Sequence, residues 1–413
     1  MKKSYLFGMF ALAAMTMVGC SNDEVVENFS QDNAIEFGTY VGRGVQARAQ
    51  ELTNDNLTNF GVFASYTGGS VWTSTSPFNF MYNQKVERTI TPSENGGEAT
   101  VGEWEYSPLK YWPTTQGDQI SFFAYAPYSE NANCITIIGD NTKTGAPEIK
   151  YTINANSLKS AEDFVADVLY NQTKSAEVNP DDSERTVSFT LNHELTRLAF
   201  EAKLDKTVYE ANNAKHQTQV NIKEIEFGGA SFPLEATYKF ATENDVEKTD
   251  ENEAKVVRGT WNLENAKYGT LNLGGLLNTT TLEVGTYKEA GIQLKDDQPV
   301  SLFSGTEEDP EYLFLIPPAG EEGLATEEVV VTVKYDIVTA DDALAGKHSC
   351  THTEKKINLP AAALKQGVTY KYVLTFYLNQ IVLEASVADW DTTNGNINED
   401  VDWNDTDVKV ASN

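Results

Sequence analysis

In Ala34-Ile35-Glu36-Phe37-Gly38-Thr39-Tyr40-Val41 the apolar side chains fall mostly at every second position. That spacing puts them on one face of a β-strand and on no single face of a helix. Similar runs recur at Phe60–Tyr66, Phe78–Ile90, Glu98–Tyr106, Gln119–Tyr128, Cys134–Ile138, Glu148–Ile153 and Phe164–Asn171. A second series comprises Val187–Leu191, Leu195–Leu204, Val220–Phe227, Phe232–Phe240, Val256–Leu263, Thr281–Tyr287, Tyr312–Ile316, Glu327–Val338, His348–Leu359 and Thr369–Val387. Gly, Pro, Asn and Ser clusters separate these runs, and only Ser157–Glu162 and Leu359–Gln366 read as short helical turns. Short strands with frequent turns pack as β-sandwiches, two sheets facing each other across about 10 Å.

The chain has 413 residues, more than one core normally serves, which predicts two sandwiches. The polar, acidic stretch Ser175–Glu184, interrupted by Pro180, marks the expected boundary. The domains then read as 49–178 and 179–413, the second carrying a C-terminal tail. With 40% hydrophobic and 11% aromatic residues the chain is too apolar for disorder. Three cysteines, Cys20, Cys134 and Cys350, are too few for a disulfide framework, so packed sheets must supply the stability. A net charge of −30 repels phosphate backbones and excludes nucleic acid as a partner.

Residues 1–19 read as an export signal. Lys2 and Lys3 precede an apolar run, Tyr5–Val18, that is too short to span a bilayer. It ends in Met17-Val18-Gly19-Cys20, a lipobox-like sequence with Cys20 as the residue to be acylated. Each buried acyl methylene contributes about 0.8 kcal/mol, so two or three chains such as palmitate hold a protein on a membrane almost permanently. The acidic stretch Ser21-Asn22-Asp23-Glu24 that follows resembles the surface-export signal of Bacteroidetes lipoproteins.

No catalytic constellation is present: neither a GxSxG elbow nor a phosphate-binding glycine loop occurs, and no two carboxylates are marked as a pair. His348, Cys350 and His352, spaced by two, would share one face of a strand. Three ligands on one strand still need a fourth from elsewhere, and no CxxC or HExxH pattern accompanies them, so they read as an exposed polar strand and no metal is assigned. Asp389–Asn396 resembles a calcium loop, but its glycine falls one place late and the twelfth-position glutamate is missing. His193, beside an apolar strand, reads as structural. Trp72, Trp104 and Trp112 suit either a sandwich core or a sugar-stacking platform.

Several blocks, in their order along the chain, resemble the fimbrillin family, the type V pilins of Bacteroidetes. They are the lipobox, AIEFGTYV with Gln46-Ala47-Arg48-Ala49, Asn59–Ala64 (NFGVFA), Lys110-Tyr111-Trp112-Pro113 and Ile120–Tyr128 (ISFFAYAPY). Asp167–Tyr170, Val187–Phe200 (VSFTLNHELTRLAF), Gly367–Leu374 and Val387–Trp390 complete the series. The resemblance implies an all-β protein of two tandem transthyretin-like sandwiches, delivered to the outer membrane as a surface lipoprotein, without cofactor. It implies that a trypsin-like protease cuts after Arg48, before Ala49, with Arg43 as the second choice. The cut releases segment 20–48 with its lipid and first strand. Other pilin subunits would then fill the vacated groove by strand addition, building a fimbrium for adhesion to a host or bacterial surface, or for biofilm formation. The donor residues would come from the tail, Val401, Trp403, Val408 and Val410, although aspartates interrupt it and it could instead dock on its own domain. Two alternatives stand beside this: a pilus anchor that keeps its lipid, and a monomeric glycan-binding surface lipoprotein.

Overall fold

The computed structural model describes residues 33–41, 52–92, 99–131, 134–153, 164–167, 186–212, 217–242, 258–303, 312–318, 329–359, 364–378, 380–389 and 404–411. Its first half forms β1 (Glu36–Val41), β2 (Asn59–Gly68), β3 (Met81–Glu87), β4 (Ile90–Thr91), β5 (Thr100–Val101), β6 (Gln119–Ala126), β7 (Ile135–Ile137), β8 (Glu148–Thr152), β9 (Val165–Asp167) and β10 (Thr186–His193). The second forms β11 (Thr196–Leu204), helix α1 (Lys206–Asn212), β12 (Thr218–Lys239), β13 (Thr260–Asn272), β14 (Thr280–Val284), β15 (Tyr287–Leu294), β16 (Val300–Ser301) and β17 (Leu313–Leu315). It ends with β18 (Val330–Ala340), β19 (His348–Asn358), β20 (Val368–Phe376), β21 (Ile381–Asp389) and β22 (Asn404–Ala411). The chain is nearly all β, as its periodicity predicts.

The first sheet runs β1-β10-β9-β6-β2-β3. Its central strands are apolar on both faces, so they read as near-continuous hydrophobic runs. Phe60, Val62, Phe122 and Ala124 join one core, with Phe37 and Phe189. Their neighbours Phe63, Phe123 and Tyr125 join a second core that continues into the rest of the molecule. Gly61 lies under the Tyr125 ring, where a Cβ would overlap the ring edge. Gly61→Ala should therefore cost about 1–3 kcal/mol. Gly38→Ala, whose Cβ would meet Ser188 Oγ at 3.4 Å, should stay within about 0.5 kcal/mol. Thermal unfolding of the two variants checks the contrast.

In the second half a sheet of β16, β17, β11, β20, β21 and β22 faces one built on β12, β15, β18 and β19. Phe200 meets Phe227 with centroids 6.0 Å apart, and Tyr335 meets Phe376 at 5.0 Å. Two expected strands, Val220–Phe227 and Phe232–Phe240, are one continuous strand, β12. Gly228, at φ 137°, and register shifts at Gly229/Pro233 let it bend there and stay paired with β13. The expected strand Thr369–Val387 is instead the hairpin of β20 and β21, closed by Tyr377 N–H donating to Gln380 O at 2.9 Å. Among the described residues of the run Glu98–Tyr106, β5 and a bridge at Glu105 are paired, and Gly102 N–H donates to Thr89 O at 2.8 Å. Its alternation reflects Trp104 and Tyr106 resting on the first core. Ser157–Glu162 lies outside the described residues.

The expected boundary at 178/179 also lies outside them, and pairing crosses it in both directions. β10 belongs to the first sheet, parallel to β1 and antiparallel to β9. β8 pairs with the C-terminal end of β12, Glu148–Thr152 against Glu235–Lys239. Phe164 packs on Tyr238 at 5.0 Å and Phe123 on Phe240 at 5.7 Å. The chain changes sheets at Glu194–Leu195, both fully buried.

The first strand and its groove as the candidate functional site

β1 is an edge strand whose inward residues Ile35, Phe37 and Val41 are buried, while Tyr40 on the other face is 45% exposed. It lies parallel to β10, Glu36 opposite Thr186 through Val41 opposite Leu191. Phe37 sits among Tyr106 at 5.2 Å, Phe189 at 5.8 Å, and Phe60 and Phe122 both at 6.1 Å. Aromatic pairs at such separations add about 0.5–1.5 kcal/mol beyond the area they bury.

Side chains and a loop pin both ends of the strand. At its start Ile35 N–H donates to Lys110 O at 2.9 Å, Trp112 N–H to Asn33 O at 3.1 Å, and Tyr106 Oη–H to Ile35 O at 2.9 Å. Burial pushes the Tyr106 phenol up to about 12, so it remains a donor. At its end the Asn54 amide imitates a ladder partner: Val41 N–H donates to Oδ1 at 2.8 Å, and Nδ2–H donates to Val41 O at 3.1 Å. The aromatic sequence blocks thus converge here. NFGVFA supplies Phe60, ISFFAYAPY supplies Phe122, VSFTLNH supplies Phe189, and the loop ending in Tyr111-Trp112-Pro113 closes over the strand.

Cys20, Arg43, Arg48, Ala49, Val401 and Trp403 lie outside the described residues. Val408 and Val410 stand on β22, opposite Ala385 and Leu383 of β21 in their own sheet. His193 and Glu194 are buried where β10 passes into β11. Arg258 Nη1 donates to His193 O, Trp261 Nε1 to Glu194 O at 2.8 Å, and Gln366 Nε2 to the Glu194 carboxylate. Trp72 and Trp112 are buried in the core, and Arg88 stacks over Trp104 at 4.3 Å. The three tryptophans therefore do not form an open platform. The trio on β19 divides: His348 Nδ1 lies 3.0 Å from Gly346 O, whereas Cys350 and His352 gather with Asp336 of β18. Strand spacing alone could not reveal Asp336, which reaches the group across the sheet.

The sequence pattern of the fimbrillin-like family matches residues 47–390, from just after β1 to just after β21. The fimbrium subunit Fim1C of Phocaeicola vulgatus is 30% identical over 414 residues, covering 94% of this chain and 98% of that protein. A solved fimbrial protein from Bacteroides vulgatus has a TM-score of 0.65 and 26% identity, over 87% of this chain and 99% of its own. On the sequence match and the shared fold together, this chain belongs to the fimbrillin-like family.

Proposed function

We propose that the protein is a structural subunit of a cell-surface fimbrium, exported as an outer-membrane lipoprotein through Cys20. Cleavage after Arg48 then separates β1 from the body, and a strand from a neighbouring subunit takes its place beside β10. The observation that carries this reading is the construction of β1: a short edge strand, the first described in the chain, whose inward side chains fill an aromatic groove. Losing it would leave the β10 edge unpaired and Phe60, Phe122 and Phe189 uncovered, a state that favours capture of another strand. Repetition of one such contact from subunit to subunit makes a filament.

The tail bears on position within that filament. A subunit that keeps β22 on its own β21 accepts a strand without giving one, as the tip of a filament does. The glycan-binding alternative loses its main support with the burial of Trp72 and Trp112.

The test is the N-terminus and intact mass of the protein recovered from the cell surface, for the wild type and for Arg48→Ala. A start at Ala49 that disappears in the variant together with filaments is expected. A lipidated Cys20 start in both, with filament content unchanged, would exclude assembly by strand replacement.

A further inference from the structure

We propose that Asp336, Cys350 and His352 form a binding site for a divalent transition-metal ion, zinc being the best match to the donors. One oxygen, one sulfur and one nitrogen, each from a different side chain, lie within 4.8 Å of one another. This is the separation that an ion with bonds of about 2.0–2.3 Å can close with small side-chain movements. The register creates the grouping. His352 stands directly opposite Asp336, and Cys350, opposite Val338, is two residues away on the same face of β19.

The acid is held in place from behind. Asp336 is 5% exposed. Its Oδ2 accepts from Tyr287 Oη at 2.7 Å, and Tyr287 Oη accepts from Asn221 Nδ2 at 2.9 Å. That chain leaves Oδ1 directed at His352 Nδ1, 2.6 Å away. Metal ligands are held by outer partners of this kind. On the other side the His352 side chain is 81% exposed, so an ion can enter from solvent and keep water in its fourth position.

The donor set selects the ion. A thiolate and an imidazole disfavour magnesium and calcium, which take oxygen ligands, and suit zinc, cobalt and their neighbours. Binding requires that the proton on His352 Nδ1 move to the exposed Nε2 and that Cys350 release its thiol proton to solvent. The carboxylate and thiolate then balance the two charges of the ion. A bound ion ties the edge strand β19 to β18.

The test uses the full mature chain without a histidine tag, reduced and freed of metal by chelation, and titrated with cobalt(II). A saturable thiolate-to-cobalt charge-transfer band at one cobalt per chain, reversed by zinc, is expected. Cys350→Ser should abolish that band, Asp336→Asn should weaken binding at least about ten-fold, and His348→Ala should leave it unchanged. Circular dichroism verifies the fold of each variant; half-buried Cys350 is the least disruptive of the ligand changes. Absence of the band from the folded wild type, its persistence in Cys350→Ser, or its loss in His348→Ala would overturn the site.

Discussion

Phe37→Ala is expected to lower the unfolding free energy of the uncut protein by about 3–5 kcal/mol, the usual cost of emptying a buried aromatic position. Phe37 is 6% exposed and meets four aromatic rings contributed by β2, β6, β10 and the segment before the Tyr-Trp-Pro loop. Those rings are fixed by their own strands and by Trp112, so they can collapse only partly into the space. Denaturant unfolding of protein purified with β1 present measures the effect. A loss below about 1 kcal/mol would mean that β1 is not an integral layer of the core. If the chain is cut after Arg48 as proposed, protein beginning at Ala49 no longer contains residue 37, so cut material from the variant and from the wild type should unfold alike. That comparison separates strand loss from any effect elsewhere.

The second large effect is expected at Arg197, which is 1% exposed three residues beyond the change of sheet. Its Nε donates to Thr369 Oγ1 at 3.1 Å, and its guanidinium lies over Tyr312 at 4.7 Å from the ring centre. Arg197→Ala removes a buried charge together with its long aliphatic stem, and about 3–5 kcal/mol of stability should go with it. Arg197→Met keeps much of the volume. Buried charges replaced by packed hydrophobic groups are often neutral or stabilising, so methionine should recover at least half the loss. Thermal unfolding of both variants distinguishes packing from charge: equal losses would assign the role of Arg197 to its hydrogen bond and charge alone.

Much of this architecture was legible because it is local. The spacing of Ile35, Phe37 and Val41 announced β1 and its inward face, and the spacing on β19 placed Cys350 and His352 side by side. Long-range pairing was not legible. Nothing in Glu148–Thr152 indicates that it joins β12 rather than its own series, since one apolar face can pack on many partners. The two glycines after Phe227 looked like a strand end, yet without a Cβ they allow the bulge that carries β12 onward. Polar clusters show the same limit. Asp336 is one of 61 acidic residues and gains meaning only from the residue opposite it. The aromatic blocks behind the family resemblance were visible as sequence, whereas their convergence on Phe37 required the fold.

The passage from β10 into β11 through two buried residues, with β8 bound to β12 beside it, has a mechanical consequence. The two halves share a hydrogen-bonded sheet and a continuous core, so tension applied along the chain passes between them without a hinge. Relative movement of the described halves would have to break β8–β12 pairing and part of that shared core. If subunits join by the strand replacement proposed above, curvature and compliance would then fall at the joints between subunits, where one added strand would carry the load.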